Sequence, residues 1–182
     1  MAWTVNDIPD QSGRIAVITG ANSGLGFEAS RELARKNATV VMAVRNMEKG
    51  KAAVQRIEAE VPNADLELRK LDLGSLESIR AFAARVADEH DHVDILLNNA
   101  GLMATPAGQT RDGFEIQVGT NHFGHFVLTE ELMPMLEAAP SARVVTMTSG
   151  ARMQGRTLTE DRACVGDDYD PWQAYGDSKL AN

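Results

Sequence analysis

A single cysteine, Cys164, is all that a chain of 182 residues contains, so no internal disulfide can staple it, and a cytosolic chain has no need of one. No apolar run approaches the ~20 residues needed to span a bilayer, which argues against a membrane partner. The opening residues, MAWTVNDIPD, lack the basic start and apolar centre of a secretion signal. The expectation is a soluble, cytoplasmic protein. Basic residues are also scarce: 18 against 26 acidic ones, for a net charge of −8, with no long basic run. That balance argues against a nucleic-acid surface. Hydrophobic residues make up 43%, ordinary for a globular chain of this length, which suffices for one domain with a real core.

What is present is alternation. Short β-branched runs at 14–19, 38–44, 66–71, 93–97 and 143–148 read as strands. Between them lie helical patterns at 25–36 and 46–60, a helix capped by Ser75 with apolar positions Leu76, Ile79, Phe82, Ala83 and Val86, and a long stretch from about Asp112 to Ala138. Pro134 is expected to kink or end the last of these. Strands alternating with helices imply parallel pairing through right-handed crossovers, hence an α/β doubly wound parallel sheet spanning residues 1–182 as a single domain. Continuous apolar strands such as 15–18 and 95–97 fit a sheet covered on both faces. Ligands of such sheets bind at the carboxyl edge of the strands.

Two motifs sit at that edge. Gly20, Gly24 and Gly26, in the segment TGANSGLG, follow a strand and open a helix. Glycines there let the backbone turn sharply and approach a pyrophosphate, while the helix N-terminus offers unpaired amides and partial positive charge. A tight turn without a ligand is the plainer reading of the glycines alone. Near the other end stand Tyr175 and Lys179, four apart and so on one face of a helix. A fixed cation beside a phenol favours phenolate, which suits acid–base work on a carbonyl or alcohol. The plainer reading is an amphipathic surface pair. At the end of the second strand, where an NAD-binding sheet places an acid, the sequence is AVRN. Arg45 can pair with a 2′-phosphate, so the cofactor expected is NADP, with NAD less favoured; a solvated surface arginine is the alternative.

Taken together, Thr19-Gly-x-x-x-Gly-x-Gly26, Asp72-Leu73, Asn98-Asn99-Ala100-Gly101, Asn121, Ser149 and Tyr175-x-x-x-Lys179 occur in the order of the short-chain dehydrogenase/reductase family, which the chain resembles from Gly13 onward. Segments 121–126 and 175–182 look most like its retinol-dehydrogenase-like and WW-domain-oxidoreductase-like members. The resemblance implies reversible hydride transfer to or from a nicotinamide. Ser149 would then hydrogen-bond the substrate oxygen and Tyr175 would move its proton. Lys179 would stabilise the phenolate and bind the nicotinamide ribose, and Asn121 would hold a water linking Lys179 to solvent. Cofactor contacts would come from Gly20, Asn22, Ser23, Gly24, Leu25, Gly26, Arg45, Asp72, Leu73, Asn98, Ala100, Gly101, Tyr175 and Lys179. Asp72 would meet the adenine, while Asn98, Ala100 and Gly101 would line the adenosine side.

Measured against that family, residues between Ser149 and Tyr175 form an extended polar insert, containing Asp161 and Asp167, that is expected to cover the substrate mouth. The family continues beyond the tyrosine helix, so the chain reads as incomplete at its C-terminal end, with little packing to hold Tyr175 and a fifth strand left as an exposed edge. Two functions follow: an oxidoreductase working between NADP(H) and a carbonyl or alcohol of a small, moderately apolar molecule, or a catalytically silent dinucleotide-binding domain. A homo-oligomer is possible for a full-length protein. His122 and His125, three apart, are expected to pack or cap rather than bind metal; His90 and His92 read as solvated, Cys164 as incidental, and Trp172 as lying at the site's mouth or in the core.

Overall fold

The structure, a computed structural model, describes residues 3–159, 163, 165–166 and 168–182. Cys164, Asp161 and Asp167 lie outside the described residues.

Five strands form one parallel sheet: β1 (Ile15–Thr19), β2 (Thr39–Val44), β3 (Asp65–Lys70), β4 (Ile95–Asn98) and β5 (Arg143–Thr146). Their order is β3-β2-β1-β4-β5, so the chain reverses its direction of winding between β1 and β4. The register runs Val17 beside Val41 and Leu96, and Leu97 beside Val145. The helices are α1 (Gly24–Arg35), α2 (Met47–Glu60) and α3 (Leu76–Glu89), then α4 (Ile116–Val118) and α5 (Gly124–Ala138) joined by a π-helical turn over Gly119–Phe123, and finally α6 (Pro171–Ala181).

Because alternate strand residues point to opposite faces, each central strand feeds two cores. Val17, Val41 and Leu96 meet Ile79, Phe82 and Val86 of α3 and Leu128 and Leu132 of α5. Ile18, Val40 and Met42 meet Phe27 of α1 and Ala53 and Ile57 of α2. Side-chain caps fix several helix starts: Asn46 accepts from Lys49 N, Ser75 from Ser78 N, and Asp170 from Gln173 N. No helix among the described residues is long and apolar enough to cross a membrane.

The long helix ends at Ala138, as its sequence reading has it, but differs at its start. It begins at Ile116 rather than near Asp112, because Gly113 takes φ +87° and closes a turn, and the Asp112 carboxylate instead accepts from Leu76 N at the start of α3. Pro134 does not end it. Both Pro134 and Glu130, whose carbonyl loses its amide partner, are exposed, while buried Leu132, Met135 and Leu136 hold the flanks. His90 and His92 are not free in solvent either: their Nε2 atoms lie 3.3 Å from Glu67 Oε2 and 3.2 Å from Asp94 Oδ2. β5 is the exposed edge expected of it, with all four residues accessible.

Ile79 is fully buried between α3 and the sheet. Ile79→Ala is expected to cost about 2–5 kcal/mol of unfolding free energy, read from urea denaturation, without altering the m-value.

Candidate active site

The reversal between β1 and β4 opens a cleft of about 610 Å³ along the carboxyl edge of the sheet. One wall is the glycine turn. Gly24 has φ +55°, a conformation a side chain would strain. At Gly26 a Cβ would lie 2.5 Å from Asn99 Nδ2 and 2.6 Å from Gly20 O, so the absence of a side chain lets β4's exit pack directly on the turn. Gly20, Asn22, Ser23 and Leu25 line the cleft, whereas Gly24 and Gly26 shape the turn behind it.

Arg45, Leu71, Asp72 and Leu73 line the cleft where β2 and β3 end. The Arg45 side chain is exposed and has no ion-pair partner among the described residues. Asp72 Oδ1 accepts from Gly74 N at 3.0 Å, which fixes the carboxylate. Ala100, Gly101, Leu102 and Met103 line the stretch that follows β4. Asn98, expected on the adenosine side, does not reach it: its side chain points to the α5 side of the sheet and donates to Thr129 Oγ1 at 3.1 Å. The neighbouring Asn99 lines the cleft instead, donating from Nδ2 to Thr19 O at 2.8 Å.

Ser149, Tyr175 and Lys179 line the far end of the same cleft. Ser149 ends the segment leaving β5, its Oγ accepting from Ala151 N at 3.2 Å. Tyr175 and Lys179 lie one turn apart on α6. Lys179 is only 5% exposed, and its Nζ donates to Met147 O at 2.8 Å with no carboxylate partner among the described residues. Burial pushes this ammonium below the ordinary lysine range. Trp172 is exposed and meets the Tyr175 ring edge-on, centroids 6.3 Å apart, which places it at the mouth rather than in the core.

Asn121 is wholly buried in the π-helical turn and does not line the cleft. Its Oδ1 accepts from Leu102 N at 2.7 Å, and its Nδ2 donates to Leu102 O and to Ser178 Oγ, both at 2.9 Å. The side chain is thus committed to fastening the cleft loop to α6. The expectation that α6 would be poorly held is overturned by the same contacts. Thr148 Oγ1 donates to Lys179 O at 2.8 Å, and Arg156 N to Asp177 Oδ1 at 2.6 Å.

Two further residues carry the arrangement. Thr19 Oγ1 accepts from the amides of Asn99 and Ala100, each at 2.9 Å, and lies 2.9 Å from His125 Nε2. His125 Nδ1 lies 2.9 Å from Asn121 O. A carbonyl only accepts, so Nδ1 carries the hydrogen and Nε2 takes the threonine proton. The imidazole is therefore neutral and packed in the interior. The signal for His125 was its position one turn beyond Asn121 on an inward-facing stripe. Its partner Thr19 lies 106 residues away, which no local pattern reveals.

These observations define a doubly wound α/β domain with a serine, tyrosine and lysine gathered in the cleft at its sheet edge. Residues 14–160 match the family model described as short chain dehydrogenase. The chain is 43% identical to human Retinol dehydrogenase 13 over 169 residues, covering 93% of this chain and 51% of that protein. It is 45% identical to mouse Retinol dehydrogenase 12 over 175 residues, covering 93% and 54%. A solved structure of an uncharacterized protein from Mycobacterium paratuberculosis superposes with TM-score 0.87 at 48% identity, covering 99% of this chain and 62% of that one. Another, described as a "putative short chain dehydrogenase" from Shigella flexneri 2a complexed with NADP, gives TM-score 0.74 at 26% identity, covering 96% and 70%. The chain belongs to the short-chain dehydrogenase family of oxidoreductases, whose members bind NAD(P). It spans about half the length of the curated relatives it matches.

Burial pushes His125 down to about 4. Its folded value lies below the unfolded one near 6.5, so between those limits the unfolded chain binds the extra proton and stability falls as pH falls. The expected loss is about 3 kcal/mol from pH 7 to pH 4, seen as a falling urea midpoint that is shallower in His125→Gln.

Proposed function

We propose that this chain is a reductase/dehydrogenase working between NADP(H) and a carbonyl or alcohol group of a small apolar molecule in the cytoplasm. The observation that carries the reading is Lys179: a buried ammonium with no counter-ion among the described residues, in the same cleft as Tyr175 and Ser149 and beyond a glycine turn. A charge so placed costs folding energy unless it serves a bound group or a neighbouring acid.

The residues present fit a dinucleotide. Gly20, Asn22, Ser23 and Leu25 would hold its diphosphate at the start of α1, Asp72, Leu73, Ala100 and Gly101 its adenosine side, and Lys179 its nicotinamide ribose. When bound, the cofactor supplies or takes the hydride. Arg45 is exposed in that cleft, among residues with no acid at the end of β2, which favours a 2′-phosphate over a free ribose hydroxyl. The complexes of related folds with NADP and NADPH point the same way. Ser149 Oγ would donate to the substrate oxygen and polarise a carbonyl. Tyr175 would pass a proton to that oxygen in reduction and remove it in oxidation, with the Lys179 cation one helical turn along α6 in the same cleft. Asn121 would act through Leu102 and Ser178, holding loop and helix in register. Leu102, Met103 and Met147 line the cleft and the exposed Trp172 stands against Tyr175, a set that suits an apolar substrate.

The retinol dehydrogenases among the relatives make all-trans-retinal a rational probe, with acetophenone as a smaller one. NADPH oxidation in their presence is expected, with Tyr175→Phe lowering kcat ~10²–10⁴-fold and leaving the Kd for NADPH within about twofold. NADPH binding without any Tyr175-dependent turnover would instead support a silent dinucleotide-binding domain. Arg45→Gln is expected to weaken NADPH ~10- to 100-fold in a fluorescence titration and NADH less than about threefold. Equal losses for the two would refute the NADP assignment.

A further inference from the structure

Outside the cleft, three polar side chains from two distant parts of the chain converge. Glu115 is 2% exposed and has no cation within ion-pair distance among the described residues. Its carboxylate accepts from Gln117 N at 2.9 Å and Val118 N at 2.7 Å, and Oε1 lies 3.1 Å from Tyr169 Oη. Gln117 is fully buried, and both hydrogens and the oxygen of its side-chain amide are engaged. Nε2 donates to Tyr169 Oη at 2.8 Å and to Pro171 O at 2.9 Å, while Oε1 accepts from Ala104 N at 2.8 Å. Since Pro171 O only accepts and Ala104 N only donates, the amide has one permitted orientation. Tyr169 Oη also reaches Thr105 O at 3.1 Å.

Four segments are thereby joined: the loop at 104–105, the start of the long helix, the insert at Tyr169, and the first residue of α6. Each lies next to something the chemistry needs. Leu102 and Met103, immediately before Ala104, line the cleft, and Tyr175 follows Pro171 by one helical turn. Ala104 itself takes φ +49°, a left-handed conformation that disfavours an alanine, and the Gln117 amide holds it there. Burial pushes the Tyr169 phenol up, so it remains a donor throughout the working range.

We propose that Glu115, Gln117 and Tyr169 are positioning residues, a clamp that sets the insert and the start of α6 against the loop at 102–105 and so fixes the width of the substrate end of the cleft. The assignment of that end to substrate rests on the oxidoreductase reading above. Tyr169 is the specificity-setting member, because it is the one contributed by the insert.

The test uses the whole chain with NADPH and all-trans-retinal. Tyr169→Phe keeps the ring and removes the hydroxyl. The expected result is a KM for retinal raised about 3- to 10-fold, with kcat and the Kd for NADPH within about twofold. Amide exchange is expected to quicken in peptides covering 102–105 and 165–171. Gln117→Leu is expected to raise KM in the same direction, and the double variant to be no worse than the more damaged single one, as for side chains acting as one unit. Unchanged KM despite faster exchange would overturn the proposal by reducing the cluster to structural support. So would parallel losses in KM, kcat, NADPH affinity and Tm. An absence of turnover in the unmodified chain would sink the oxidoreductase reading instead. In that case the exchange measurement still decides the clamp, which falls if Tyr169→Phe leaves 102–105 protected.

Discussion

The hydroxyl of Thr19 is the point on which the site's geometry turns. It stands at the last residue of β1, where the chain must enter the glycine turn, and two amides from the segment after β4 converge on its oxygen. Those amides belong to Asn99 and Ala100, where a parallel strand has ended and its backbone groups have lost their ladder partners. The Asn99 amide shares the threonine with Leu97 O at 3.0 Å, while the Ala100 amide turns to the threonine, which spares it the ~1–3 kcal/mol of an unpaired donor and pins the two strand exits together. Its own hydroxyl donates to His125 Nε2, and through that ring the tie continues to the Asn121 carbonyl. Glycine turn, cleft floor and π-helical turn therefore share one hydrogen-bonded chain. Displacing any of them disturbs the others.

A second tie runs through Asn121 to Leu102 and Ser178, and it explains how α6 stays docked although its sequence has almost no amphipathic character. Gly176, Asp177, Ser178 and Lys179 are all buried, an unusual set for a helix interior face. Polar burial of this kind is stable only when each group finds a partner, and here the partners come from the segments that lead out of β5 and into the insert. The helix is placed by specific polar contacts rather than by an oily stripe. Such contacts give direction as well as adhesion, and direction is what a tyrosine aimed at a cleft requires.

How much of this the sequence disclosed depended on the range of the interaction. β1, with Ala16 to Thr19 fully buried, and the α3 stripe through Ile79, Phe82 and Val86 were legible because periodicity and burial are local. The glycine turn was legible because its strand-before, helix-after context was. Asn98 was misplaced because choosing between adjacent asparagines at a strand exit needs the register, and a shift of one residue reverses the face. The start of the long helix was misread because Gly113 stops it locally while the pattern alone runs on. Gln117 gave no signal at all, since its partners Tyr169 and Pro171 lie 52 and 54 positions further along. Long-range polar pairing has no period to detect.

The π-helical turn at Gly119–Phe123 has a consequence for the whole helix that contains it. An ordinary helix advances about 100° per residue, so one surplus residue offsets everything before it from everything after it by that angle. Gln117, on the early side, faces the insert; Leu128 and Leu132, on the late side, face the sheet. No evenly wound helix of this sequence can satisfy both neighbours at once. Deleting a single residue there would smooth the coil and swing one set of side chains out of phase with its partners, so a more regular backbone would leave a poorer fit.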